Sequence, residues 1–197
     1  MAAVLQSLGR TIIAGVIILI LLVLISAGVS GVGPQFGHAW GAFFMRWLHV
    51  VSGVMWIGLL WYFNFVQIPS MPKIPDEQKP AIGKVIAPTA LFWFRYAALS
   101  TVVTGLLVAW MNGYLVPALG LQQPVHAIGI GMWLALVMAF NVWFIIWPNQ
   151  KKALGIVTVE AEEKAAAARL AMLTSRFNTM LSIPMLYMMV AQQNAGL

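Results

Sequence analysis

The sequence predicts an all-α integral membrane protein with five transmembrane helices, four of which form a bundle of two parallel helix-pair repeats. Three observations support this fold class. The 197-residue chain is 61% hydrophobic and only 8% charged, whereas soluble domains carry about 25% charged residues. It contains several apolar segments of the roughly 20 residues that cross a bilayer. Two of these segments repeat one short motif. A single transmembrane domain over residues 1–197 is therefore expected.

The predicted spans follow the apolar runs in chain order. The first run is too long for a signal peptide and lacks its cleavage pattern, so it is predicted to cross the membrane. Prolines recur through residues 67–90 and predict an irregular or interfacial connection there. Strong helix formers over 159–171 predict that the last helix begins in the cytoplasm. The five spans cover about residues 11–31, 42–66, 91–117, 125–147 and 172–191.

The charged residues predict the orientation. Lys and Arg cluster around 73–95 and 151–176, whereas the connections 32–41 and 118–124 contain neither residue. Because cytoplasmic loops carry the excess of Lys and Arg, the N-terminus is expected inside and the C-terminus outside. The net charge of +6 is thus a topology signal and does not indicate nucleic-acid binding. The chain has no cysteine, which excludes disulfides, iron–sulfur clusters and covalent haem attachment.

A histidine motif occurs twice with the same internal spacing. In each copy the histidine is followed six and seven residues later by Met-Trp, and fourteen and fifteen residues later by Phe-Asn. The copies begin at His49 and His126, and an Arg-aromatic pair follows each copy, at Arg95 and at Arg176. Parallel repeats keep both copies in one orientation, so both histidines are expected near the outer, periplasmic face. A histidine inside a span is costly and usually functional.

The two histidines predict a bis-histidine haem b. Neutral imidazole is a common haem ligand, and helix bundles hold cofactors between facing helices. Small residues three or four positions after each histidine leave room for a porphyrin edge, and the tryptophan seven positions on lies on the same face. An arginine one turn before the first histidine is expected to pair with a haem propionate. The predicted site comprises the iron ligands His49 and His126 with Arg46, Gly53, Gly129, Trp56 and Trp133.

Other interpretations of these residues stay open. A histidine in a span can simply hydrogen-bond across helices, the glycines can be helix-packing residues, and the tryptophans can be interfacial. Copper is an alternative metal, because Cu(I) binds thioether and imidazole and the chain has twelve methionines. Methionine also commonly fills gaps in cores. His38, in or beside an uncharged outer connection, is either a residue of a substrate or second site or a surface histidine.

Three stretches resemble the membrane domain of the bacterial urate hydroxylase family, the cytochrome-linked urate oxidases. They are FMRWLHVVSGVMWIG at 44–58, FNVWFIIWPNQKK at 140–152 and SRFNTMLSIPML at 175–186. The first stretch is similar also to small membrane protoporphyrinogen oxidases and to copper-resistance membrane proteins. Members of the urate hydroxylase family carry a C-terminal c-type cytochrome domain, whereas residues 1–197 contain no Cys-x-x-Cys-His.

The resemblance and the histidines together predict a haem b electron-transfer protein in the bacterial inner membrane. The resemblance implies a urate hydroxylase-like oxidoreductase that passes electrons to a periplasmic c-type cytochrome or a respiratory complex. A purine substrate is then expected near the outer surface, beside Arg46, His38 or the haem edge. Two alternatives are a small-membrane-type protoporphyrinogen oxidase and a non-enzymatic accessory subunit of a larger membrane complex. No catalytic residue is assigned.

Overall fold

Residues 2–194 are described by the computed structural model, and within them the regular secondary structure is helical. The prediction of an all-α protein is thus confirmed. Contiguous α, π and 3₁₀ turns are counted here as one helix. The helices are α1 (Ala2–Leu5), α2 (Leu8–Ser30), α3 (His38–Lys73), α4 (Lys79–Met111), α5 (Leu115–Leu119), α6 (His126–Ala153) and α7 (Ala161–Ala191).

The chain folds as two compact units. The first extends to Gly41 and contains α2, none of whose residues is buried. Apolar side chains cover the whole circumference of α2, which is the pattern of a helix surrounded by lipid. The second unit begins at Ala42 and contains the remainder of α3 together with α4 to α7.

Four of the five predicted spans are supported by the helices. α2, α3, α4 and α6 are long and apolar enough to cross a membrane. The 31-residue α7 is also long enough. Its apolar part is however interrupted by polar residues such as Arg176 and Asn178, which lower its hydropathy. The fifth span and the pseudo-two-fold arrangement of the helix pairs stay predictions.

The proline-rich connection is far more helical than predicted. The sequence predicted an irregular or interfacial segment over 67–90, but only residues 74–78 lie between α3 and α4. The expected irregular structure was wrong because four of the five prolines fall at the first or second position of a helical segment. π-helical and 3₁₀-helical turns adjoin these positions, and the missing proline N–H costs little there. The helix predicted from the strong helix formers over 159–171 is confirmed, since α7 begins at Ala161.

A large apolar cluster holds the second unit together. It joins α3, α4, α6 and α7 through side chains that are almost fully buried, including Trp56, Leu60, Phe94 and Met138. Phe63 of α3 meets Phe94 edge to face, with the ring centroids 5.7 Å apart. Such close interlocking of side chains fixes the relative depth of the helices, because a packed core tolerates little sliding.

Buried amides connect α3 and α6 to α7. Asn64 donates from Nδ2 to the Ser175 hydroxyl at 2.8 Å. Asn141 donates to Oδ1 of Asn178 at 2.8 Å, and Asn178 in turn donates to the carbonyl of Met138 at 2.9 Å. Asn64 and Asn141 are the asparagines of the two motif copies, and both lie in π-helical turns, Tyr62–Gln67 and Asn141–Ile146. The two copies therefore fold alike at their Phe-Asn ends.

Replacement of Asn178 by alanine is expected to lower the stability of the protein by about 1–2 kcal/mol, the range for interhelical hydrogen bonds within membranes and for a buried partner left unpaired. Asn178 is fully buried, so water cannot replace its two bonds. Thermal unfolding in detergent measures the change. Asn112→Ala is the matched control, since Asn112 directly follows α4 and its side chain donates to the nearby carbonyl of Val108, not to another helix. An equal loss in both variants would contradict the assignment.

Candidate functional site

A cavity of about 620 Å³ lies between α3, α4, α6 and α7. Its volume is within the roughly 300–1,000 Å³ typical of cofactor and ligand pockets. The wall is largely apolar, with polar side chains at only a few points, among them His49, Arg46 and Tyr114. A mostly apolar pocket with a small number of convergent polar groups is the usual form of a small-molecule site.

His49 is held on the cavity wall by the backbone of α4. Its Nδ1 lies 2.8 Å from the carbonyl oxygen of Thr101, and the Thr104 hydroxyl is 3.5 Å away. A carbonyl oxygen can only accept, so Nδ1 carries the proton and Nε2 of the neutral ring retains its lone pair. A carbonyl bonded to one ring nitrogen orients an imidazole for ligation through the other. His49 is therefore prepared to bind a metal through Nε2.

Gly105 makes room for the His49 ring. A Cβ atom added at Gly105 would lie 2.7 Å from Cε1 and 2.9 Å from Nδ1 of His49, both far inside van der Waals contact. α4 can therefore pass beside the imidazole only because residue 105 has no side chain. The hydroxyl oxygens of Ser52 and Ser100, 2.8 Å apart, fix the two helices against each other near the ring.

Arg46 and Tyr114 form the polar part of the cavity wall together with the end of α7. The Tyr114 phenol lies on this wall, near the charge of Arg46. A phenol O–H can donate a hydrogen bond. Neither of the two ion pairs found within residues 2–194 involves Arg46. The guanidinium is thus available to an anionic group of a ligand.

Four of the seven predicted site residues line this cavity. They are Arg46, His49, Gly53 and Trp56, all from α3. Trp56 is fully buried, and its Nε1 has no hydrogen-bond partner among the described residues. A Cβ atom at Gly53 would meet only a methyl group, at 3.9 Å, so the small residue leaves space on the wall without being required by the packing.

The other three predicted residues do not line the cavity. A Cβ atom at Gly129 would overlap the carbonyl oxygen of Ala118 in α5, and Trp133 donates from Nε1 to the carbonyl of Leu119 at 2.9 Å. This face of α6 therefore packs against α5. His126 begins α6, and its Nδ1 is buried without a hydrogen-bond partner. The α6 residues that line the cavity are Ile128, Met132, Ala135 and Leu136.

His38 and the missed residues complete the comparison with the sequence. His38 is exposed at the start of α3, within the first unit, and it is absent from the cavity wall. Its role stays a prediction. Thr101, Gly105 and Tyr114 were not found by sequence reasoning. Threonine and glycine are ordinary in transmembrane helices, so only their contacts with the motif histidine distinguish these two residues. No cluster of three or more His, Asp or Glu residues suited to a metal ion occurs within the described part.

α6 and α7 carry the second motif copy, the Asn141–Asn178 bond and one side of the cavity. Residues 123–195 match the urate oxidase N-terminal family. This match confirms the resemblance predicted from 140–152 and 175–186, whereas 44–58 lies outside the matched region. No curated protein and no solved structure matches the chain.

Within the matched residues 123–195, Gly129→Ala is expected to destabilise the protein by about 2–3 kcal/mol, as overpacking does. The added methyl group must displace the backbone of α5, which cannot rotate away as a side chain can. Thermal unfolding in detergent measures the loss. Gly28→Ala is the control, because a Cβ atom at that position meets nothing within 4 Å. Unchanged stability of Gly129→Ala would show that α5 does not pack there.

Proposed function

We propose that the protein is a membrane-embedded haem b redox protein of the urate hydroxylase type, and that the cavity beside His49 binds the haem. The observation that supports the proposal is the orientation of the His49 imidazole at the cavity wall. Its Nδ1 is bonded to the Thr101 carbonyl at 2.8 Å, so that Nε2 is free for a metal at the wall of a 620 Å³ cavity. The urate oxidase N-terminal match over residues 123–195 supports the same class.

The remaining cavity residues fit a porphyrin. A flat macrocycle needs apolar walls and small residues where its edge passes, and Gly53 is such a residue. Its propionates need cationic or hydrogen-bonding partners, and Arg46 with Tyr114 can supply both. His49 would therefore hold the haem iron through Nε2, and Arg46 would pair with a propionate. Trp56 closes the cavity against the large apolar cluster.

The proposed second axial ligand is His126, as the repeated motif predicts. Its buried Nδ1 has no partner within the described residues, so the ring has a nitrogen free for a metal. The face that contains Gly129 and Trp133 packs on α5, however, and His126 is not on the cavity wall. Six-coordinate iron favours electron transfer over oxygen activation. The coordination number of the iron would therefore show whether His126 is the second ligand.

The haem would supply a one-electron redox centre, and the chain sets the properties of that centre. The Thr101 carbonyl increases the basicity of the His49 ring through Nδ1, which strengthens it as a ligand. The apolar wall excludes water, which favours the less charged oxidation state of the site. Arg46 adds a positive charge at the polar part of the wall and neutralises a negatively charged group there. Together these residues control ligation, burial and charge.

The proposed setting is the bacterial inner membrane, with five spans, the N-terminus inside and the C-terminus outside. The charge asymmetry of the connections supports this orientation. The polar part of the cavity then lies toward the periplasm, where a c-type cytochrome or a respiratory complex could accept electrons. A urate-like substrate would bind on that side, and this last step rests on family analogy alone.

Optical spectroscopy tests the proposal directly. The full chain is expressed with sufficient haem supply, purified in detergent and examined by reduced-minus-oxidised difference spectra. A haem b spectrum with about one haem per chain is the expected result. Urate consumption and porphyrinogen oxidation, each measured in membranes, separate the urate hydroxylase function from that of a protoporphyrinogen oxidase. Purified protein without haem would refute the redox proposal and leave the accessory-subunit alternative.

A further inference from the structure

Arg95 is a buried cation for which residues 2–194 supply no anion. It lies within α4 and is only 8% exposed. Its Nη1 is buried without a hydrogen-bond partner, and neither ion pair of the described residues includes Arg95. A buried charge of this kind is costly unless it is paired. A compensating negative charge is therefore needed at this position.

The acidic residues of the chain cannot provide it. The chain has five Asp and Glu residues in all, and each lies in the 74–78 connection or at the start of α7. Asp76 pairs with Lys79 at 2.5 Å, and Glu163 pairs with Lys152 at 2.6 Å. The rest are exposed. None of the five acidic side chains is thus paired with Arg95, and an anion from another molecule can supply the negative charge that Arg95 requires.

The surroundings of Arg95 concentrate positive charge further. Cζ of its guanidinium lies 3.3 Å from the ring centroid of Trp147, and Nζ of Lys151 is 5.7 Å from the same centroid. The indole attracts both cations, but it carries no net charge and cannot neutralise either. Arg176, the corresponding arginine of the second repeat, is exposed. The buried cation is thus particular to the first repeat.

The position of these residues separates them from the His49 cavity. None of Arg95, Trp147 and Lys151 lines that cavity. Thr101 is six residues from Arg95 along α4, which is about 9 Å at 1.5 Å per residue. Lys151 and Lys152 mark the end of α6 that the charge pattern predicts to be cytoplasmic. Arg95 therefore lies between the cavity and the cytoplasmic end of the bundle.

We propose that Arg95, Trp147 and Lys151 form a binding site for a phosphate-class oxyanion at the cytoplasmic end of the bundle. The planar guanidinium presents paired donors that match phosphate geometry, and Lys151 adds a second charge. Basic pockets between transmembrane helices on the cytoplasmic side bind lipid headgroups. The phosphate belongs either to an anionic phospholipid or to a free anion, and the two sources give different results in one experiment.

The experiment measures thermal unfolding of the delipidated full chain in dodecyl maltoside. Inorganic phosphate and phosphatidylglycerol are added in separate titrations, with chloride at equal ionic strength and phosphatidylcholine as controls. We expect a rise in Tm of roughly 5 °C at saturation. A response to phosphate identifies a free anion, and a response to phosphatidylglycerol alone identifies a lipid. Arg95→Gln should abolish the rise, while the matched control Arg176→Gln should retain it.

Two further measurements keep the proposal testable if Arg95→Gln does not fold. Arg95→Lys retains the charge but loses the planar fork, and it should weaken binding by about tenfold. Native mass spectrometry of the gently purified wild type detects any phospholipid that stays bound through delipidation. Wild-type protein with neither a Tm response nor a retained phospholipid overturns the proposal. A rise in Tm in Arg95→Gln as large as in the wild type also overturns the proposal. If Arg95→Gln does not fold, an equally large rise in Arg95→Lys overturns it.

Discussion

Replacing His49 by alanine is expected to reduce the haem content of the purified protein to background. The variant removes the imidazole whose Nε2 is free at the cavity wall, and the described residues offer no other histidine on that wall. Apolar contact, Arg46 and the proposed ligand His126, which is not on the cavity wall, would then have to retain the porphyrin. Haem per chain, from the difference spectrum of purified protein, is the measurement, with circular dichroism to show that the helices have formed.

Two other histidine variants complete this experiment. His38→Ala makes the same chemical change at a residue that does not line the cavity, and it should retain the wild-type haem content. His126→Ala tests the second ligand: a change from six-coordinate to five-coordinate iron would confirm bis-histidine ligation, and an unchanged spectrum would assign the second position to another group. Retention of a wild-type spectrum by His49→Ala would refute haem ligation by this residue.

Gly105→Ala is expected to weaken haem binding by about 10- to 100-fold, the effect usual for changes to groups that orient a metal ligand. The added methyl group would lie 2.7 Å from Cε1 of His49, so the ring must rotate and lose its bond to the Thr101 carbonyl. Haem titration of the apoprotein gives the affinity, and the spectrum of the bound form reports on the altered ligand.

The control for Gly105→Ala is Gly15→Ala in α2, where a Cβ atom meets nothing within 4 Å. This control measures the general effect of replacing glycine by alanine in a membrane helix. Unfolding temperatures of both variants separate a loss of haem affinity from a loss of folded protein. Wild-type affinity in Gly105→Ala would mean that the close approach of α4 does not determine the orientation of His49.

Hydropathy was sufficient to predict the helices because the bilayer leaves few alternatives to them. The all-α fold and four spans follow from apolar length alone. His49 could be singled out because an ionisable residue in a span is rare. The prediction for 67–90 was wrong because proline was counted as a breaker regardless of position. Whether a proline falls in the first turn of a helix depends on where the neighbouring π-helical turns begin and end.

The site was only partly predictable because equal spacing within a motif does not determine which neighbour a helix face meets. Gly53 and Gly129 occupy similar places after their histidines, yet one leaves space on a cavity wall and the other lies against α5. α5 itself has only five residues and no strong sequence signal. Gly105 acts on a residue of another helix, and contacts between helices cannot be read from one segment alone.

The bond that orients His49 ends on a main-chain oxygen, and this has a consequence for how the site can vary. No substitution at position 101 other than one that deforms α4 can remove that acceptor. The proton on Nδ1 of His49 is therefore unaffected by a change of side chain at position 101. It depends instead on the spacing and register of α3 and α4. A movement of either helix along its axis would therefore change the position of the free Nε2 atom directly, and any ligand bound there would respond to how α3 and α4 slide against each other.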